Sequence, residues 1–380
     1  MKRIIIIIFC TLLLLSCKQS NNSQRSIIYL KFQNSIDSIF NLYPESVGIL
    51  AHVESSQYGI SWSGCAGYSD KTNKSHLTAD QPAFIASSMK PYVAASILKL
   101  EEINKLSIED PVSKYLTERT SKLLLKEGYD LDAIKLKHLL THTSGIYDYL
   151  QPEYFNMVTN EKNHRWTREE QLILSMQMGE PLANPADTFV YTDANYLLAA
   201  EIIETIKGVP YNVAMRELLN FKDLEFEHTW FPTLEDANLK TKQLVHQYWS
   251  SRGWDSYEID PSFDLYGGGG MATTTKELAK FSDKLFSGNI IKDTTILNKL
   301  FSKIIPSNGE ESGYCMGLTE TKVNGNKCYN HGGFWGTRVI YFPEFQTSIA
   351  VFILEKDKSK LGFRIIEPLQ KQAINIINDT

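Results

Sequence analysis

The chain has 380 residues, of which 43% are hydrophobic and 22% are charged, and its formal net charge is −5. This composition is typical of a globular protein with a large core, and the lack of a basic stripe argues against nucleic acid as a partner. No group of cysteine and histidine residues has the spacing of a zinc site, so we expect neither a metal nor another cofactor.

The first 25 residues predict an export signal followed by a tether. A basic start precedes an apolar run of 12 residues, which is too short to cross a bilayer as a mature helix. The next residues, "LLSC", resemble the lipobox at which bacterial lipoprotein precursors are cleaved, which would leave Cys17 as a lipidated N-terminus. We therefore expect a signal peptide over 1–16, a tether over 17–25, and a lipid anchor in the cell-envelope membrane, on its periplasmic or surface side. An ordinary signal peptide with an incidental cysteine is the alternative.

Hydrophobic periodicity predicts the first elements of the mature chain. A helix over 26–43 is followed by two paired strands, "VGILAHV" and "GISWSGCAGYS", with a polar turn between them. A further apolar pattern predicts a helix from about Ser87 to Leu106. The middle of the chain then shows the spacing of helices separated by loops.

Two later helices carry start signals in the sequence. Thr167 with Glu170, and Thr274 with Glu277, have the spacing of a capping box, in which a threonine and a glutamate satisfy each other's backbone N–H groups. The helix "ANYLLAAEIIETIKG" ends at Gly208, the residue type that favours helix termination. These signals predict helices that begin near residues 167, 194 and 275.

Strands return near the C-terminus, over 313–321, 338–343 and 348–355, and a last helix follows them. An Asn-Gly turn would pair Thr321 with Cys328, out of register with Cys315. We therefore expect the cysteines of the mature chain to be free and half-buried.

Strands at both ends with helices between them indicate an α/β lobe built from both termini. We place this lobe at about 26–105 and 266–380, with a helical lobe inserted at about 106–265. Together they form a single catalytic domain over 26–380. A cleft between the two lobes is the expected position of a site.

The segment "FIASSMKP" places Ser87 three residues before Lys90. On a helix both side chains would lie on one face, beside the partial positive charge of the helix N-terminus. The same spacing recurs at Ser96 and Lys99, but Ser96 would lie in mid-helix with its hydroxyl bonded to its own backbone. The spacing alone favours two ordinary polar residues at the start of a helix.

The neighbouring motifs change this interpretation. In order, "FIASSMK", "LSIEDPVSKYL", "LKHLLTHTSGIYDY", "FVYTDANYLLAAEIIE", "GGGGMATTTKELAKF" and "NHGGFWG" resemble the serine β-lactamase-related hydrolases. The likeness covers about 45–355 and is strongest to the branch of class C β-lactamases, serine DD-carboxypeptidases, D-aminopeptidases and esterase relatives. It implies a β-lactamase/transpeptidase-like α/β fold, with an antiparallel sheet flanked by helices and an inserted helical lobe.

The resemblance also implies catalytic residues. The family nucleophile falls on Ser87, its lysine partner on Lys90, and the tyrosine of the Tyr-x-Asn motif on Tyr191 as general base. A serine hydroxyl needs such a base before it can attack a carbonyl group. Lys90 serves either as a neutral amine or as a charge that holds Tyr191 as phenolate. His142 and Ser144, in "THTSG", belong to a structural block of the family and are left out of the catalytic set.

The third motif of the family falls on His331, Gly332 and Gly333. By the family pattern, the backbone N–H groups of Ser87 and Phe334 would bind the oxyanion of the tetrahedral intermediate. We therefore expect His331, Gly333 and Phe334 to line the substrate cleft.

Two departures from the family pattern bear on the substrate. Asp193 replaces the usual asparagine, and it either caps the following helix only or also contacts substrate. His331 replaces a lysine, and Phe334 stands where hydroxyl residues are common, so the cleft favours apolar or aromatic groups over a free carboxylate. Arg338 could supply a charge, but its direction is open.

We therefore expect a monomeric serine hydrolase that acts through an acyl-enzyme on a small ester, amide or peptide. A β-lactamase or DD-carboxypeptidase of the cell envelope, an acyltransferase, and a catalytically inactive binding or sensor domain are the alternatives.

Overall fold

The computed structural model describes residues 25–378, so the predicted signal peptide and Cys17 lie outside the described residues. The helices, labelled α1 to α11 in chain order, cover 25–42, Lys90–Glu102, Glu118–Lys126, Leu136–Leu140, Pro152–Asn160, Arg168–Met178, Ala194–Lys207, Tyr211–Leu218, Thr275–Phe286, Thr294–Lys299 and Leu361–Asn378. The strands, labelled β1 to β11, cover Gly48–Ser55, Ile60–Asp70, Ser75–His76, Ala83–Phe84, Tyr248–Trp249, Trp254–Asp255, Ala272–Thr273, Thr319–Val323, Asn326–Gly333, Thr337–Phe342 and Thr347–Ile353. Within this range no helix combines the length and hydropathy needed to cross a bilayer.

A seven-stranded antiparallel sheet forms the centre of the fold, in the order β3-β2-β1-β11-β10-β9-β8. At its middle, β1 pairs with β11, and Ile49 lies opposite Ile353. The sheet is therefore completed only when strands from both ends of the chain come together. The α/β class expected from the sequence is confirmed.

The sheet is covered on both faces. Alternate β1 residues such as Ile49 and Ala51 pack against α1 and α11, while Leu50 faces the core that contains α2 and α9. Because both faces are covered, the strand "VGILAHV" does not alternate between apolar and polar residues, and its one polar side chain, His52, is buried and contacts Ser63 (2.7 Å) and Glu54 (2.8 Å).

Helix α2 is shorter than predicted. A 3₁₀ turn covers Ala86–Met89, and the α-helix begins at Lys90, with Pro91 in its first turn, where the missing N–H is harmless. It ends at Glu102 because Asn104 takes a left-handed conformation (φ 57°) that stops the helix. The Ser96 hydroxyl donates to the carbonyl of Tyr92 (2.8 Å), so the prediction for this serine is confirmed.

The helices α3–α8 lie between α2 and β7, together with the small β5–β6 ribbon. The chain returns from them at β7, which pairs with β4 so that Ala83 lies opposite Thr273. The backbone N–H of Ile85 also donates to the carbonyl of Met271 (2.9 Å). These bonds fix the segment just before Ser87 to the end of the helical insertion.

The predicted strand over 313–321 is wrong over 313–318. Strand β8 begins only at Thr319, because Gly313 and Gly317 take left-handed φ angles of 72° and 71° and form a loop. The register of β8 is as predicted, with Thr321 opposite Cys328. Cys315 and Cys328 are free, but they are fully buried instead of half-buried.

The two predicted capping boxes differ in the structure. At Thr167 the box is complete, since Glu170 accepts the threonine N–H (2.7 Å) and Thr167 accepts the glutamate N–H (3.2 Å). At Thr274 only the hydroxyl caps the helix (3.1 Å). The Glu277 carboxylate instead accepts the N–H of His228 (2.9 Å) and the hydroxyl of Thr229 (2.6 Å). The second box is therefore wrong, because buried donors from outside the helix take its carboxylate.

These two glutamates give a matched test of stability. Glu170→Ala should lower the free energy of unfolding by about 0.5–1 kcal/mol, since it removes half of an exposed cap. Glu277→Ala should lower it by about 2–4 kcal/mol, because buried donors lose their acceptor. Urea unfolding of both variants and the unchanged protein measures this, and equal losses would contradict the difference in burial.

Candidate active site

Ser87 lies in the 3₁₀ turn before α2, half-buried between two fully buried neighbours. Ala86 holds a left-handed conformation (φ 46°), which costs a residue with a Cβ on the order of 1–3 kcal/mol. The Ser88 hydroxyl turns inward to Thr337 (3.3 Å) and the carbonyl of His331 (3.4 Å). The strained turn thus leaves Ser87 as the serine with access to solvent.

Lys90 is fully buried, and its Nζ has three acceptors. It lies 3.0 Å from Ser87 Oγ, 2.8 Å from the carbonyl oxygen of Gly268 and 2.6 Å from Asp193 Oδ1. A lysine ammonium has three N–H donors, so each donor is matched by one acceptor.

Asp193 does not cap α7. Its backbone is helical (φ −71°, ψ −26°), whereas a capping residue is extended so that its side chain can fold back onto the first turn. The carboxylate is fully buried and forms an ion pair with Lys90. The predicted cap is therefore wrong, and the carboxylate contacts Lys90 instead of the first turn of α7, while its contact with substrate stays a prediction.

Two further carboxyl groups lie close to Asp193. Asp148 Oδ1 accepts the backbone N–H of Asp193 (3.0 Å). Burial and the charge of Asp193 raise the pKa of Asp148 to about 7, and they also raise the pKa of Asp264 well above its ordinary value. A Cβ at Gly269 would lie only 2.4 Å from an Asp264 oxygen, so a glycine is needed there. One buried lysine is thus surrounded by three carboxyl groups.

Tyr191 lies over Lys90, whose Nζ is 5.0 Å from the ring centroid. The outer edge of the ring reaches solvent, and the residue is 37% exposed. Burial of the hydroxyl end, and then the charge of Asp193, raise the pKa of Tyr191 well above its ordinary value, although a hydrogen bond with Ser87 opposes this. Tyr191 is therefore a neutral phenol at the mouth of the site.

A run of hydrogen bonds joins two histidines through one tyrosine. The Thr192 N–H donates to Nδ1 of His142 (3.2 Å), and Nε2 of that ring contacts the Tyr314 hydroxyl (3.2 Å). The same hydroxyl lies 3.0 Å from Nε2 of His331, whose Nδ1 is 2.8 Å from the Gly332 carbonyl oxygen. The Thr192 N–H can only donate and the Gly332 carbonyl oxygen can only accept. Every bond between them is therefore donated in the direction from Thr192 to Gly332.

Both histidines in this run are neutral. Burial and the charge of Lys90 lower the pKa of His142 well below its ordinary value, and they lower that of His331 to about 3. His142 therefore holds Tyr314, and Tyr314 orients His331, which is itself buried beside Tyr191 (ring centroids 6.2 Å apart). Ser144 is also in a buried contact, with Asn195 Oδ1 (2.6 Å).

The third motif lies against the segment that carries the nucleophile. A Cβ at Gly333 would be only 2.0 Å from the carbonyl oxygen of Ile85, so this position requires glycine. Phe334 follows and is half-buried among other aromatic rings. Arg338 points away, since its Nη1 donates to Asn330 Oδ1 (2.6 Å) and its guanidinium lies over Phe363 of α11.

Sequence reasoning missed three residues of this site, Asp148, Asp264 and Tyr314. Asp148 lies inside the quoted block "LKHLLTHTSGIYDY", and Asp264 stands just before the quoted block that begins with four glycines. Their burial next to Asp193 depends on how α7 packs, which no local pattern reveals. Tyr314 was assigned to a strand, and the two glycines around it were the signal for the loop that it occupies.

Comparison with known proteins assigns the chain to a family. The model of the family described as "Beta-lactamase" matches residues 51–362, which is most of the chain. The chain belongs to the beta-lactamase family. The family expected from the sequence motifs is confirmed.

Individual members of the beta-lactamase family are more distant. The chain is 28% identical over 279 residues to the teichoic acid D-alanine hydrolase of Staphylococcus aureus, covering 71% of this chain and 61% of that protein. It is 24% identical over 283 residues to penicillin-binding protein 4* of Bacillus subtilis, covering 71% and 59%. The chain thus spans about three fifths of the length of these two curated relatives.

A solved structure shares the fold of this beta-lactamase family member. The D-amino acid amidase of Ochrobactrum anthropi SV3 superposes with a TM-score of 0.75 at 20% identity, covering 90% of this chain and 99% of the amidase. Together with the family match, these relatives support the expected class of enzyme, a serine hydrolase of ester or amide bonds.

The carboxyl cluster predicts a pH-dependent stability. Because the pKa of Asp148 is raised to about 7 in the folded protein, its ionisation above the ordinary aspartate pKa of about 4 costs stability. This cost is absent below about pH 4, grows as pH rises, and is complete above about pH 7. Asp148→Asn should therefore gain stability over the unchanged protein between pH 5 and 8.5, by on the order of 1–4 kcal/mol.

Urea unfolding at both pH values, for the unchanged protein and the variant, gives the difference directly. The exposed Asp130 is a matched control, since its Oδ1 also accepts backbone N–H bonds (3.0 Å) but lies in solvent. Asp130→Asn should change stability by the same amount at both pH values. Parallel pH curves for Asp148→Asn and the unchanged protein would contradict the raised pKa.

Proposed function

We propose that this protein is a serine hydrolase that cleaves an ester or amide bond through an acyl-enzyme on Ser87. The observation that carries the proposal is the 3.0 Å contact between Ser87 Oγ and the buried Nζ of Lys90, inside a cluster that holds both groups in place. Acyl transfer needs a nucleophile next to a base whose geometry is fixed in advance. Membership in the beta-lactamase family supports the same chemistry.

Lys90 acts as the base in this proposal. As an ammonium it cannot accept the proton of Ser87, so it must first pass a proton to a neighbour. Asp193 is the group in contact, at 2.6 Å, and the transfer converts a buried ion pair into two neutral groups. Neutral Lys90 then takes the hydroxyl proton while Ser87 Oγ attacks the substrate carbonyl.

Tyr191 acts as the general acid. The family resemblance gave it the role of general base, but its raised pKa disfavours the phenolate that a base would require. A phenol that stays protonated is suited to donate its proton to the departing amine or alcohol. The proton held by Asp193 then returns through Lys90 to restore the phenol before water attacks the acyl-enzyme.

The oxyanion would be bound by the backbone N–H groups of Ser87 and Phe334. The close approach of Gly333 to the carbonyl of Ile85 supports this, because it brings the end of β9 against the turn that carries the nucleophile. His331 lies behind this wall as a neutral ring, and we assign it to holding the shape of the cleft. All these groups belong to one chain, so a monomer is sufficient.

The relatives suggest the acyl group of the substrate. One is named for D-alanine release from teichoic acid and another for the hydrolysis of D-amino acid amides. We propose an ester or amide of a D-amino acid, and β-lactams are the second candidate because another relative is a penicillin-binding protein. Residues 26–380 form the catalytic domain in this proposal.

Acylation of Ser87 tests the proposal. A fluorophosphonate, whose fluoride needs no proton to leave, should label Ser87, and Ser87→Ala should abolish labelling. Lys90→Ala should slow acylation by this reagent and by a D-amino acid amide by a factor on the order of 10²–10⁴. Tyr191→Phe should slow the amide by a similar factor but leave the fluorophosphonate nearly unchanged, since only an amine must be protonated as it leaves.

Peptide mapping by mass spectrometry gives the site and the single-turnover rate of each reaction. Ser96→Ala is the control, because this buried serine has the same spacing to a lysine. A label on Ser96, or one that survives Ser87→Ala, would contradict the assignment of the nucleophile. Equal slowing of both reagents by Tyr191→Phe would return Tyr191 to the role of base.

We also propose that the protein is an exported lipoprotein anchored through Cys17. The lipobox-like sequence supports this, and it lies outside the described residues. Cys17→Ser in the full-length chain should move the protein from the detergent-soluble membrane fraction to the soluble exported fraction. Mass spectrometry of the mature N-terminus checks the anchor. An unmodified N-terminus at another residue would contradict lipidation of Cys17 and favour an ordinary signal peptide.

A further inference from the structure

Beside the proposed oxyanion donor lies an aromatic cluster formed by Phe155, Trp249 and Phe334. These rings come from α5, from the β5–β6 ribbon and from the residue after β9. Phe155 stacks on Phe334 at 5.7 Å between ring centroids, and Trp249 meets Phe334 edge-on at 5.2 Å. All three are half-buried, so one side of the cluster is packed and the other is open to solvent. This surface of Phe155, Trp249 and Phe334 is called the aromatic wall.

Two cations lie on this wall. Lys356 Nζ is 3.7 Å from the ring centroid of Trp249 and 4.7 Å from that of Phe334. The Arg252 guanidinium is 4.9 Å from the centroid of Trp249 and 5.6 Å from that of Phe155. A cation over an aromatic face is attracted by the negative electrostatic potential of that face, so both charged groups are positioned without a carboxylate in direct contact.

Neither cation has an ion-pair partner within residues 25–378, although acidic residues are neighbours in sequence. Glu355 is turned to Ser250, whose N–H it accepts (3.1 Å), and Asp357 accepts the N–H and hydroxyl of Ser251 (2.8 and 2.9 Å). Burial is the largest effect on the pKa of Lys356 and lowers it; the charges of Asp357 and Glu355 raise it, and that of Arg252 lowers it. Two half-buried like charges with no carboxylate in direct contact are unfavourable, and a bound anion would relieve them.

Arg252 also has donors to spare. Its Nη1 donates to Asn156 Oδ1 (2.9 Å) and lies 3.5 Å from Thr159 Oγ1. A guanidinium carries five N–H donors in a planar fork that matches the oxygens of a phosphate or carboxylate. An oxyanion between Arg252 and Lys356 would therefore find both charge and directed donors.

The wall is joined to the segment that carries the nucleophile. Gln247, two residues before Trp249, accepts the N–H of Phe84 (2.8 Å) and donates to its carbonyl (3.0 Å). Phe84 lies three residues before Ser87, and the N–H of Phe334 is the proposed oxyanion donor. The aromatic wall therefore lies beside the proposed cleft. A substrate whose scissile bond lies at Ser87 would place an anionic group of the same molecule on this wall.

From these observations we propose that Arg252 and Lys356 form an anion subsite that selects substrates carrying a phosphate or carboxylate group near the scissile bond. This inference rests on the proposed hydrolase function and adds the charge of the substrate to it. The subsite supplies the cation that the third motif lacks, since Arg338 is turned to the other face of the sheet.

Binding can be measured without catalysis. We would titrate the full chain with inorganic phosphate and with acetate at constant ionic strength, and follow tryptophan fluorescence, to which Trp249 contributes directly beneath Lys356. One or both anions should give a saturable change. Arg252→Gln and Lys356→Gln should each raise the dissociation constant at least tenfold, and the double variant should lose the change. Arg252→Lys, which keeps the charge, should retain binding within about tenfold of the unchanged protein.

The matched control is Lys327→Gln. Lys327 also lies over an aromatic ring, 5.1 Å from the centroid of Tyr329, but it is paired with Glu320 at 2.7 Å. Its replacement should leave anion binding unchanged. Failure of both anions to bind, or equal binding in the Arg252→Gln and Lys356→Gln variants, would overturn the subsite.

Kinetics then connect the subsite to the substrate. We would compare D-alanyl esters whose alcohol carries a phosphate, a carboxylate or a neutral hydroxyl in the same position, together with esters that carry the anion on the acyl side. An anionic ester should have a KM at least tenfold below that of its neutral partner, and Arg252→Gln with Lys356→Gln should reduce this ratio to about one. No preference for any anionic ester would overturn the proposal, whereas the absence of all ester hydrolysis with anion binding intact would count against the hydrolase alone.

Discussion

The buried ammonium of Lys90 is the charge around which this site is arranged. A lysine head without partners in a protein interior costs several kcal/mol, so its three acceptors must be held firmly. They come from separate parts of the chain, namely the turn at Ser87, the start of α7 at Asp193 and the glycine loop at Gly268. The β4–β7 pairing and the central sheet position the segments that carry these acceptors, so that all three lie within reach of the Lys90 Nζ.

The carboxylate of Asp193 changes the chemistry that this arrangement can perform. An asparagine in its place would accept a hydrogen bond from Lys90 but could not take a proton from it. The carboxylate can, and the two neighbouring carboxyl groups disfavour a full negative charge on the cluster. The site therefore joins four groups that can exchange protons, Lys90, Asp193, Asp148 and Asp264, and only Asp264 lies outside the quoted family motifs.

Residues in short motifs could be predicted from the sequence, whereas contacts between segments far apart in the chain could not. Ser87, Lys90, Tyr191 and His331 stand in short motifs, and the structure brings them into one site as the motif order implied. Tyr314 was missed because its role depends on two histidines from other parts of the chain, and the aromatic wall was missed because its rings come from three separate elements. The second capping box failed for the same physical reason, since buried donors outside the helix competed for Glu277.

The pairing of β1 with β11 has a consequence for how the chain reaches its folded form. Strand β1 is made early in synthesis, but its neighbour β11, the central strand of the sheet, lies close to the C-terminus, so the sheet cannot close on a partial chain. Contacts between such distant segments form slowly, because a long loop must first be closed. The two parts of the sheet, β3-β2-β1 and β10-β9-β8, therefore stay unjoined until β11 has been synthesised.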